Sequence, residues 1–229
     1  MSFPAKGDYI DIHSHNSRPE AGIFVLENLM AHEKKSPKSD SRLTYSVGIH
    51  PWFLTESNQN DNLDFIRRYG RDESVAAIGE AGFDKLKGAP LELQIKIFEE
   101  QAAISEEFQK PLIIHCVKSW DELLTSHRKI KPKMPWLIHG FRGKKELATQ
   151  LISKGMYLSR WYEFVLRDES SDLLRSIPLD KLFLETDGSG VDIRDIYKKA
   201  ADILGLSDVT LKERIIMNYE RVFSKTKRQ

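Results

Sequence analysis

Cysteine is almost missing from this chain. Cys116 is the single one among 229 residues, which excludes an internal disulfide and any thiolate-rich zinc site, so that a metal would have to be held by imidazole and carboxylate. No apolar run approaches the length of a membrane span. Net charge is nearly absent too: 35 Lys and Arg against 34 Asp and Glu leave +1, so no global field favours nucleic acid and any basic surface must be local. Met1-Ser2-Phe3-Pro4 leads directly toward the first strand with no basic and apolar leader, and the expected compartment is the cytoplasm. What is there reads as an ordinary soluble globular protein, 40% hydrophobic and 30% charged. The length suits an undivided α/β barrel. With no polar linker and no internal repeat, a single domain over residues 1–229 is expected.

Eight short apolar runs read as strands: Tyr9-Ile10-Asp11-Ile12, Ile23 to Leu26, Thr44 to His50, Val75 to Glu80, Leu112 to His115, Trp136 to His139, Met156 to Ser159 and Leu182 to Glu185. Helical patterns lie between most of them. Asp61 to Arg71 is one, and Leu91, Ile95, Phe98 and Ala102 recur with the spacing of a second. Ser119-x-x-Glu122 opens a third as a capping box, another ends near Ser153, and Thr210-x-x-Glu213 opens the last, with Leu211, Ile215, Tyr219 and Val222 on one side. The loop before the second strand is too short for a helix, and Ala31 to Arg42 reads as a solvated loop. The expectation is a parallel (β/α)8 barrel of the TIM type with its first helices reduced or missing.

Polar residues gather at the strand ends. Two histidines one residue apart, His13 and His15, project from the same face of a strand, because strand side chains alternate with period two. Taken alone, such a pair is as well explained by local hydrogen bonds. Glu80, His115 and His139 end three further strands, and Asp187 lies just past the eighth. A barrel brings all its strand ends to one face, so residues scattered through the sequence would converge. Four imidazoles and two carboxylates exceed the needs of one tetrahedral ion and suit two ions with a shared carboxylate.

The order His-x-His, Gly48-Ile49-His50-Pro51, Gly79-Glu80-x-Gly82-x-Asp84, His115-Cys116, His139-Gly140-Phe141 and Glu185-Thr186-Asp187 resembles the TatD-type metal-dependent deoxyribonucleases, from Asp11 to about Phe223. The resemblance implies that His13, His15 and Asp187 hold one divalent ion. It gives His115 and His139 to a second, with Glu80 bridging and His50 facing a substrate phosphate. Zinc, manganese and magnesium all suit such mixed nitrogen and oxygen ligands. The chain departs from the family in its loops: a short segment between the first and third strands, Val117 where arginine is common, Gly188-Ser189 after Asp187, and an abbreviated stretch before the last helix. The six ligands are intact.

The implied activity is hydrolysis of phosphodiester bonds, most simply at single-stranded or frayed DNA ends, by a monomeric enzyme with no membrane partner. Asp187 is the expected ligand and proton acceptor, Glu80 the second catalytic carboxylate, and Glu185 an orienting group for a ligating histidine. Arg142 and Arg160 are expected substrate contacts. With Trp52, Lys85, Lys87, Lys118, Trp120, Lys144, Lys145, Trp161, Tyr162 and Arg194 they would make a local basic and aromatic rim. A hydrolase of the wider amidohydrolase type, acting on a small amide, ester or phosphate, would use the same ions. A non-catalytic barrel is the third reading. His32 and His127 read as surface residues, Cys116 as a buried thiol, and Asp84 as loop support.

Overall fold

The computed structural model describes residues 2–18, 20–167 and 171–224. Eight strands form one sheet in sequence order: β1 (Tyr9–Ser14), β2 (Ile23–Met30), β3 (Leu43–Gly48), β4 (Val75–Asp84), β5 (Leu112–Val117), β6 (Trp136–Ile138), β7 (Tyr157–Trp161) and β8 (Leu182–Glu185). The pairs β1 with β2, β3 with β4, β4 with β5 and β7 with β8 are parallel. β1 also meets β8, since Thr186 N donates to Asp11 Oδ1 at 2.9 Å and Asp187 N to His13 O at 3.0 Å. A sheet in sequence order whose first strand meets its last belongs to the (β/α)8 class.

Helices follow from β3 onward: α1 (Gln59–Tyr69), α2 (Leu91–Phe108), α3 (Trp120–Ile130), α4 (Lys145–Ser153), α5 (Tyr162–Leu166), α6 (Ser171–Ser176), α7 (Ile193–Leu204) and α8 (Asp208–Phe223). As expected, among the described residues no helix stands between β1 and β2, and a 3-10 turn at Ala31–Glu33 lies between β2 and β3. No helix among the described residues is long and apolar enough to cross a membrane. By packing the chain divides into two compact units, one of residues 28–39 and 45–137, the other of residues 2–27, 40–44 and 138–224.

In the first unit β4 lies between β3 and β5, and all ten of its residues are buried. A parallel strand covered on both faces reads as continuous apolar sequence, here interrupted only by Glu80 and Asp84. Phe98 of α2 packs on Phe83 with centroids 4.5 Å apart, and edge-on against Trp136 at 5.3 Å. Burying such a ring contributes on the order of 1.5–3 kcal/mol. The buried face of α2 is Gln94, Ile97, Phe98, Gln101, Ala102, Ile104 and Ser105, rotated from the stripe expected on Leu91 and Ile95 because two glutamines point inward.

In the second unit α7 and α8 pack on β1 and β8. Tyr197 of α7 donates its hydroxyl to Ile10 O at 3.0 Å and accepts from Ile10 N at 3.1 Å. Asn218 of α8 donates to Leu179 O and Leu182 O. Two start signals need correction. α8 begins a turn before the expected box, at Asp208, where Ser207 accepts from Thr210 N. Ser119 precedes α3 as expected, but its hydroxyl donates to Val117 O, and Glu122 pairs with Lys85 at 2.8 Å.

Candidate metal centre

Each unit carries its own group of imidazole and carboxylate donors. In the second unit His13, on β1, and His15, just beyond it, share one face, as period two requires. Their rings stand perpendicular with centroids 5.0 Å apart. Asp187 follows β8 in the left-handed region (φ 52°), which turns its carboxylate back, so that Oδ1 lies 3.6 Å from His13 Nε2 and 3.4 Å from His15 Nε2. The turn is clamped from below. Asp11 accepts from Thr186 N at 2.9 Å and from Thr186 Oγ1 at 2.5 Å, and burial raises its carboxyl to about 7 against the pull of those hydrogen bonds. His139, immediately after β6, lies against His13 with ring centroids 4.2 Å apart and the planes tilted by 35°. Its Nδ1 faces Glu185 Oε1 at 3.3 Å, and Glu185 also accepts from Ser159 Oγ. A carboxylate at Nδ1 holds the proton there and leaves the lone pair on Nε2.

In the first unit Glu80, His50 and His115 come together, all buried. Glu80 sits in the middle of β4, and His115 within β5; neither ends its strand as expected, because β4 runs on to Asp84 and β5 to Val117. The peptide Gly79-Glu80 is cis. A side chain on Gly48 would meet Gly79 backbone at 2.4 Å, so glycine at that position lets β3 and β4 close up beside Glu80. Glu80 Oε1 lies 3.0 Å from His115 Nδ1 and 3.1 Å from His50 Nε2. The two imidazoles are not equivalent. His50 Nδ1 accepts from Trp52 N at 3.1 Å, which places the proton on Nε2 and makes that atom a donor rather than a ligand. His115 Nε2 faces Asp84 Oδ2 at 3.4 Å, which places its lone pair on Nδ1, toward Glu80. Burial would raise Asp84, but bonds from Trp52 Nε1 and Leu86 N and the nearby His115 outweigh it and hold the carboxyl below its usual range.

Several residues that matter here escaped the sequence reading. Asn28 of β2 donates to Glu80 Oε2 at 3.2 Å and accepts from Glu80 N at 3.0 Å and Ser46 Oγ at 3.1 Å; an amide inside the apolar run of β2 was the available signal. Gln101 pins Ile49, just before His50, through both N and O, and Gln94 pins Asp84 in the same way. Arg160 requires correction. It lies within β7, fully buried, with Nη1 donating to Phe141 O, and burial lowers it to about 10. The strand is longer than expected, so Arg160 fastens the turn after His139 instead of lining a rim. Arg142 in that turn is exposed. Nor are the two surface histidines plain: His32 stacks on Phe53 at 4.1 Å, and His127 meets Trp136 edge-on at 5.0 Å. Burial pushes the Cys116 thiol up, away from reactivity.

The donors fit divalent ions. Ligands sharing one ion at about 2.1 Å from each lie about 3.0–3.4 Å apart, close to the 3.4 and 3.6 Å between Asp187 and the two histidines and the 3.0 Å between Glu80 and His115. The family model described as TatD related DNase matches residues 23–224. This chain belongs to that family. The match begins after His13 and His15, which therefore rest on their own geometry. The TatD chain is similar to a deoxyribonuclease Tat-D of Schizosaccharomyces pombe, 29% identical over 164 residues, and covers 66% of itself and 53% of that protein in the match. With a protein of Citrobacter koseri named 3'-5' ssDNA/RNA exonuclease TatD it shares 32% over 162 residues, 68% of this chain and 62% of the other. It thus spans between half and two thirds of the length of these relatives. The crystal structure of a hydrolase TatD family protein from Entamoeba histolytica superposes with TM-score 0.78 at 15% identity, covering 99% of this chain and 100% of that one; at that identity the likeness concerns the fold.

Proposed function

We propose that this TatD-family chain hydrolyses phosphodiester bonds in single-stranded or frayed DNA ends with the help of two divalent ions. The observation that carries the reading is the pair of donor sets, His13, His15 and Asp187 in one unit and Glu80 with His115 in the other, each with ligand atoms within 4.8 Å of one another. His139, with its lone pair directed by Glu185, is a further imidazole donor in the unit that holds His13 and His15. When bound, such ions lower the pKa of water and draw off charge from the phosphoryl oxygens.

The chain's own residues supply the remainder. Asp187 is partly open to solvent and accepts a proton from the attacking water at its carboxylate. His50, fixed as a donor at Nε2 by Trp52 N, faces Glu80 Oε1 at 3.1 Å and gives that hydrogen bond to a phosphate oxygen once Glu80 is engaged by an ion. Asp84 and Glu185 hold the ligating imidazoles in one tautomer. Exposed Arg142 contributes charge to a passing phosphate. The names of the relatives support nucleic acid as the substrate class.

The test is activity of the metal-loaded protein on labelled single-stranded DNA, beside a phosphate monoester and an amide. Cleavage of DNA above the other two is expected. Turnover of the small substrates with DNA untouched would move the reading to an amidohydrolase-type activity.

A further inference from the structure

Beside His50 lies an aromatic surface that the chemistry above leaves unused. Trp52 and Phe53 follow His50 on a 3-10 turn (Pro51–Phe53), and each keeps 38% of its surface exposed; Leu86, on the loop after β4, keeps 74%. Large rings stay this open beside a polar site when they serve contact. Phe53 already has a ring, that of His32, stacked on it. Trp52 is held by its edge. Its Nε1 donates to Asp84 Oδ2 at 2.7 Å, its N to His50 Nδ1, and it meets the rings of His50 at 4.9 Å and His115 at 5.7 Å close to perpendicular. The neighbouring loop is bound to it through Ala89 N to Pro51 O at 3.2 Å, and Gly88, at φ 106°, has no side chain to collide with Pro51 O. Over the face of Trp52 stands Lys87, its Nζ 3.8 Å from the ring centroid.

We propose that Trp52 is the stacking platform for one unpaired nucleobase, next to a phosphate held at His50, and that Lys87 gives way to the base and pairs with that nucleotide's phosphate. The inference rests on the phosphodiesterase reading and deepens it by naming an unpaired nucleotide as the unit recognised. A ring fixed at its edge loses little freedom on binding. The lysine stem is flexible and its ammonium remains within reach of the backbone. Stacking accepts any base but only an unstacked one, so duplex DNA is disfavoured away from its ends.

The experiment compares a short single-stranded oligodeoxynucleotide with versions carrying one abasic residue at each position in turn, on wild type, W52F and W52L. Removing one particular base should lower wild-type kcat/KM about tenfold, through KM. W52F, which keeps a ring and loses the bond to Asp84, should retain most of that sensitivity; W52L should lose it. If W52L stays as sensitive as wild type, or no abasic position raises wild-type KM, the platform is refuted. An equal loss of kcat in W52F and W52L on every substrate, with abasic sensitivity unchanged, would make Trp52 only a support for Asp84. Fluorescence anisotropy of the same oligonucleotides needs no turnover. Should wild type cleave nothing, the hydrolase reading fails by itself while the anisotropy still decides whether Trp52 binds the base.

Discussion

The two donor clusters differ in depth. His50, Glu80 and His115 are sealed, whereas His15 and Asp187 keep 23% and 27% of their side-chain surface in solvent. A buried carboxylate must have its hydrogen bonds supplied by the protein, and Glu80 has them from Asn28 and His50. The open cluster is held instead through its turn, by Asp187 N on His13 O and by Thr186 N and Oγ1 on the Asp11 carboxylate. One cluster is therefore closed off and held by side chains, the other open to water, which is where the proposed proton acceptor lies.

That contrast can be broken by mutation. Asp187→Asn should lower kcat on single-stranded DNA about 1000-fold with an unaltered thermal unfolding curve; activity near wild type would remove Asp187 from its role. Asn28→Ala strips Glu80 of its amide partner and should weaken binding of one ion about 100-fold, read by titration with a metal-sensitive dye. Thr186→Val, which loses the hydroxyl bonds to Asp11 and Ser14 but keeps the main-chain ones, should weaken the other ion only about tenfold. Equal losses in these two variants would erase the difference between a sealed and an open cluster. Smallest is Arg142→Ala, expected to raise KM about twofold and to shallow its salt dependence, as for one exposed phosphate contact.

The eight strands were legible because parallel strands buried on both faces write themselves as short apolar runs, and the proposed ligands stood out as polar residues in or just after them. The strand lengths were less legible. Glu80 and His115 look like strand ends because a polar residue breaks the apolar run, yet backbone pairing continues to Asp84 and Val117. Arg160 looked like a rim cation for the same reason. α7 is absent from the sequence expectation although its signal is readable: Ile193, Ile196, Tyr197, Ala200 and Ala201 recur at helical spacing between the cap Asp192 and the left-handed Gly205. Asn28, Gln94 and Gln101 could not be placed by hydrophobic pattern, since their burial serves partners distant in sequence.

The most direct measurement is metal stoichiometry by mass spectrometry on protein purified without chelator, for wild type, His15→Ala and His115→Ala. Two divalent ions per chain in wild type and one in each variant are predicted. A wild-type chain that binds none, or variants that keep the full wild-type complement, would contradict metal binding at these clusters.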